Sequence, residues 1–112
     1  MWSMVEGGNT LGTAGSEGGK ILIDEEHELG ARITLEEGGS VAPFAITCGI
    51  YGSMVHTRFF GSREAGEKEV AAMKDALHLI LTSFPDADDP ERERKMEGVY
   101  DAVSRFVEEF PS

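Results

Sequence analysis

The stretch VAPFAITCGIYGSMVHTRFF, residues 41–60, decides the fold. Two runs rich in β-branched and aromatic residues, 41–51 and 53–60, flank Gly52-Ser53, the pattern of two strands joined by a tight turn. The same stretch carries Cys48, the only cysteine of the chain, and His56. A thiol and an imidazole on one face would make a candidate nucleophilic dyad or metal site.

Strand register tests that pairing, because side chains alternate faces and cross-strand partners share one. A two-residue loop at Gly52-Ser53, glycine first as a type II′ turn prefers, predicts the pairs Tyr51 with Met54, Ile50 with Val55, Cys48 with Thr57 and Ile46 with Phe59. Cys48 then points into the core and His56 away from it. A three-residue loop, Tyr51-Gly52-Ser53, would set Cys48 opposite His56 but would drive Arg58 onto the face of Ile46 and Phe44. An unpaired buried guanidinium costs several kcal/mol, so this register is disfavoured unless a bulge intervenes.

Working outward, KILIDEEH (20–27) and ARITLEE (31–37) read as two earlier strands. A loop at Glu28-Leu29-Gly30 pairs Ile23 with Leu35 and Glu26 with Arg32. A two-residue loop at Gly38-Gly39 pairs Ile33 with Phe44 and Ala31 with Ile46. Together the loops predict one apolar face of Ile21, Ile23, Ala31, Ile33, Leu35, Phe44, Ile46, Cys48, Ile50, Val55 and Phe59.

The remainder is helical. Ser62 can cap a helix whose Val70, Met73, Leu77, Ile80 and Phe84 form one face, with Gly66 a weak point in its first turn and Pro85 its stop. Asp89 with Pro90 can start a second helix, faced by Met96, Val99, Tyr100, Val103, Phe106, Val107 and Phe110. The expected fold is therefore α+β: a four-stranded antiparallel meander followed by two C-terminal helices on one face, ββββαα. Residues 1–19, with six glycines, read as an N-terminal segment preceding a single domain over 20–112, with Trp2, Met4, Val5 and Leu11 as possible anchors.

Composition narrows the function. Ten basic against twenty-one acidic side chains give a net charge of −11, which opposes nucleic-acid and anionic-membrane binding. One cysteine makes no internal disulfide, and no signal or long apolar segment is visible, so a cytoplasmic setting is expected. No cofactor or metal is expected. GTAGSEGGK departs from a phosphate loop at Ala14 and Ile21, and it precedes a strand rather than a helix. DADDPERERKME places Asp86, Asp88 and Glu97 at calcium-loop positions, but Glu91 stands where the glycine turn is needed, and helix capping explains the carboxylates. His27 and Glu25 could face one cation, against the simpler expectation of a solvated turn; His78 is expected on an exposed helix flank.

The outer sheet face stands out. Leu22, Thr47, Tyr51, Met54, His56, Arg58 and Phe60 would mix apolar, aromatic and polar groups there, more than a purely solvated face carries. The N-terminal segment, a second copy of the chain or a ligand could cover it. The resulting expectation is a non-enzymatic binding or assembly domain, homodimeric, with Thr47, Tyr51, Met54, His56, Arg58 and Phe60 as interface. The alternative is a small-molecule enzyme using His56 as acid–base and Arg58 to hold an anion, with no oriented carboxylate or nucleophile to complete it.

Overall fold

A computed structural model describes all residues, Met1–Ser112. The chain forms one antiparallel sheet in sequential order, β1 (Trp2–Met4), β2 (Lys20–His27), β3 (Ala31–Glu37), β4 (Phe44–Ile50) and β5 (Met54–Phe60), then two helices, α1 (Arg63–Thr82) and α2 (Arg92–Glu109). The α+β architecture matches the expectation, with a fifth strand added at the N-terminal edge. Both helices contribute to one core with the sheet: Ile33, Leu35, Ile46 and Cys48 meet Val70, Met73, Leu77, Val99 and Phe106.

Ser62 caps α1 as anticipated, its Oγ accepting the Ala65 N–H at 3.2 Å. The buried Gly66 lets the helix lie against β3, since a Cβ there would stand 3.0 Å from Leu35 Cδ1. The conformational cost of glycine in the first turn is thus offset by close packing. α2 begins later than expected. Asp89 Oδ1 accepts the Glu91 N–H at 2.8 Å, and a turn through Pro90 intervenes before Arg92.

Register follows the reading at one hairpin and departs from it at two. Between β2 and β3, Ile23 pairs with Leu35 and Glu26 with Arg32, and a bulge lies between Ile21 and Ile23. The bulge turns Ile21 to the outer face and leaves Leu22 packed against the core rather than on the outer face. Between β3 and β4, Ile33 pairs with Cys48 and Ala31 with Ile50, because the connection runs from Gly38 to Pro43. Proline has no N–H to give a ladder, and pairing starts at Phe44. This slip of four residues is even, so every β4 side chain keeps its expected face.

The β4–β5 slip is by one residue and reverses β5. Ile50 pairs with Met54, Cys48 with His56, Ile46 with Arg58 and Phe44 with Phe60. The loop is the three-residue one: Ser53 N–H bonds to the Ile50 carbonyl at 2.9 Å, and Gly52, third in that turn, has φ +79°. Val55 and Phe59, expected in the core, lie on the outer face, 80% and 37% exposed. Met54, His56, Arg58 and Phe60, expected on the outer face, turn toward the helices.

This register holds because the buried guanidinium is not unpaired. Arg58 is 9% exposed, and its Nη1 meets Glu69 Oε1 of α1 at 2.9 Å while Nε donates to the Pro111 carbonyl at 3.0 Å. Its guanidinium carbon also stands 5.0 Å from the Phe60 ring centre and 5.4 Å from that of Phe110. Both partners lie far along the chain, in elements the hairpin's own sequence does not contain.

Candidate functional site

The glycine-rich N-terminal segment is not a free tail. β1 pairs with β2, Trp2 with His27 and Met4 with Glu25. Residues 12–14 then run along the β2 edge, where Gly12 N–H bonds the Ile21 carbonyl at 2.8 Å and Ile21 N–H bonds the Thr13 carbonyl at 2.9 Å, before the chain crosses onto the outer face. Residues 15–19 are held there by Glu36, a carboxylate with no exposed surface: its Oε1 accepts the backbone N–H groups of Glu17 and Gly19, each at 3.0 Å. Backbone approach is so close that a Cβ on Gly15 would fall 1.9 Å from Glu36 Oε2. Glu36 Oε2 has no hydrogen-bond partner.

A second acid is buried on the outer face. Asp24 receives Arg32 bidentately, Nε to Oδ1 at 2.9 Å and Nη2 to Oδ2 at 2.7 Å. Those hydrogen bonds, ahead of the loss of water, hold the Arg32 guanidinium more firmly in its charged form.

Between the segment at Ala14–Ser16 and the tip of the β4–β5 hairpin lies a groove of about 640 Å³. Its walls include Ile21, Arg32, Tyr51 and Val55. Gly49 sits on this face between Arg32 and Val55, and its missing side chain deepens the floor. Hydroxyls supply the polarity. Thr34, Thr47 and Thr57 are successive cross-strand partners, and Ser16 Oγ reaches Thr47 Oγ1 at 3.2 Å from above.

Of the side chains expected to form an interface, Thr47 faces the groove and Tyr51 lines it at the exposed hairpin tip. Met54 pairs with Ile50 on the helix side and borders the groove's end. His56, Arg58 and Phe60 lie on the opposite face: His56 Nε2 donates to the Phe110 carbonyl, and Phe60 packs against the core. His56 and Arg58 are thus committed to the C-terminal segment instead of a shared outer surface.

Cys48 and His56 are neighbours after all, as direct cross-strand partners. They do not form a reactive pair. Burial pushes the Cys48 thiol up to about 12, against a smaller opposing pull from Arg58, and His56 is turned to Phe110. A nucleophilic or metal-binding cysteine needs the thiolate.

No group of three or more His, Cys, Asp or Glu side chains is placed to hold a metal ion. His27, expected in a solvated turn, is instead 3% exposed, because β1 and α1 close over it. Its Nε2 stands 2.9 Å from Nδ1 of His78, which is exposed on its helix flank. Nor is any helix long and apolar enough to cross a membrane.

Glu36, Asp24 and Ser16 were not singled out from sequence. Alternation did place Glu36 outward, but nothing local shows that residues 15–19 return to bury it. The available signal is the glycine density at 15, 18 and 19, which reads equally as a linker. No family model, curated protein or solved structure matches the chain.

Proposed function

We propose that this protein is a non-enzymatic binding domain that receives its partner on the outer sheet face, in the groove between Ala14–Ser16 and the β4–β5 hairpin. The groove itself carries the reading. A hollow of about 640 Å³ with apolar walls and a few convergent hydroxyls has the size and character of small-molecule and peptide-side-chain sites. Its one cation, Arg32, is already neutralised by Asp24, so the chemistry it complements is apolar and uncharged with hydrogen-bonding capacity. The setting proposed is a reducing cytoplasm, in keeping with a lone, buried thiol.

A second reading, self-association, draws on a different observation. Val55 and Phe59 are exposed on β5, an edge strand of the sheet. A symmetric homodimer could cover both.

One pair of measurements separates them. An uncharged solvatochromic dye such as Nile red is titrated into the wild type and into Thr47→Trp, which fills the groove, while light scattering reports mass. Saturable dye binding that weakens at least about tenfold in Thr47→Trp, on a monomer, supports the ligand reading. A wild-type dimer converted to monomer by Val55→Lys supports self-association. A monomer that binds no dye refutes the proposal.

A further inference from the structure

Resting on the ligand reading above, we propose that Arg32 is the specificity-determining donor of the groove, and that it selects an uncharged molecule carrying an amide carbonyl on an apolar body. A guanidinium presents its N–H donors in a rigid fork and has no acceptor. One edge of that fork is engaged side-on by Asp24, Nε at 2.9 Å from Oδ1 and Nη2 at 2.7 Å from Oδ2. The far nitrogen, Nη1, bonds no protein group, and the side chain is 42% exposed where it lines the groove.

The strand register fixes how the fork is held. Asp24 pairs with Thr34, so Arg32 reaches it on the diagonal between β2 and β3. Asp24 is 1% exposed, and a bidentate contact to a buried carboxylate holds the guanidinium plane in one orientation. On the other flank the β4 partner of Arg32 is Gly49, whose own β5 partner is Val55. No side chain stands between Arg32 and Val55 on this face, and all three residues line the groove. Nη1 is the donor left for whatever fills that gap.

Charge decides the class of acceptor. Asp24 already offsets the guanidinium, and Glu26, the β2 partner of Arg32, sets a further carboxylate on the same face without pairing to it. A ligand carboxylate would crowd another anion around one cation, in a chain whose net charge is −11. A neutral carbonyl accepts from Nη1 without that repulsion, and a bond from a charged donor is stronger than one between neutral groups.

The rest of the hollow suits an amide. Thr34 and Thr47 line it with hydroxyl oxygens that can accept the amide N–H, and Ser16 Oγ reaches Thr47 Oγ1 at 3.2 Å. Ile21 and Val55 offer apolar contact to the body of the molecule. Arg32 thus chooses by the acceptor, and the walls choose by shape.

The test uses three probes substituted at the same ring carbon: naphthamide, naphthoate and isopropylnaphthalene. Each competes with Nile red for the full chain, as wild type and as Asp24→Leu/Arg32→Met, in which an apolar pair replaces the ion pair. Naphthamide should bind the wild type tighter than naphthoate does. Its preference over isopropylnaphthalene should fall at least about tenfold in the double variant. An equal preference in both proteins overturns the role of Arg32 and leaves the groove reading standing. Naphthoate binding tighter than naphthamide, or naphthamide failing to displace bound Nile red, overturns the ligand class. Absence of Nile red binding removes the groove reading itself, and the assignment of Arg32 with it. Should the double variant fail to fold by circular dichroism, the Arg32 Nε–H resonance of the wild type decides. A shift with naphthamide but not with isopropylnaphthalene supports the proposal; equal shifts, or none, refute it.

Discussion

Glu69 is the residue on which the sheet's register most depends, although it lies in a helix. Replacing it with leucine would leave Arg58 with the Pro111 carbonyl and two aromatic rings, but no counter-charge. Removing one member of a buried ion pair costs about 3–5 kcal/mol. The Arg58 side chain is 10% exposed and that of Glu69 30%, so some water reaches the site and the low end, about 3 kcal/mol, applies. Arg58→Met should cost less, about 2 kcal/mol, because the abandoned carboxylate can turn toward solvent. Independent effects would sum to about 5 kcal/mol, whereas the double variant should lose only about 2 kcal/mol, a coupling of about 3 kcal/mol. Urea unfolding reads this directly. With a slope of about 2 kcal/mol per molar, Glu69→Leu lowers the midpoint by about 1.5 M and the double variant by about 1 M. Single variants each within 0.5 kcal/mol of wild type, or a strictly additive double, would refute the account of why Arg58 can be buried.

Three other outcomes are expected. Gly15→Ala should force the Glu36 carboxylate off the Glu17 and Gly19 N–H groups and cost about 2 kcal/mol, with amide protection lost over residues 15–19; a fully stable variant would show that Glu36 does not hold the segment. Glu6 has φ +48°, so Glu6→Gly should raise the unfolding midpoint by the equivalent of about 1 kcal/mol, and a destabilised variant would contradict the assigned strain. Cys48, its thiol pushed up to about 12, should resist a thiol reagent at pH 8 in the native protein and react at once in urea. Its folded value lies above the unfolded one of about 8.5, so the associated stability is whole below that pH and declines as pH rises toward 12.

The order of elements from β2 to α2 was legible because alternation in 20–60 and the 3–4 spacing in 62–110 are local signals, whereas the three-residue β1 carries no such pattern. The Ile23–Leu35 register was legible for the same reason, since Glu28-Leu29-Gly30 closes a short hairpin between clear runs. The β4–β5 register was not. Its choice turned on whether a buried Arg58 could be paired, and the carboxylate that pairs it comes from α1. Once β5 shifts by one residue, His56 and Phe60 exchange faces with Val55 and Phe59, and most of the expected interface moves with them. Thr47 kept its place because the β3–β4 slip was even. The groove was illegible for a further reason: residues 14–16 form one side of it, and their composition resembles a linker.

That side of the groove has an uncommon chemistry. At Ala14 and Gly15 it offers a methyl group and a bare backbone, with Ser16 the one functional side chain. On the proposed reading, a ligand there would meet main chain and shape more than side chains. Alanine scanning would pass over it, reporting sensitivity at Thr47 or Tyr51 and silence opposite. The informative substitutions are additions: bulk at Ala14, or proline where an N–H is suspected of donating.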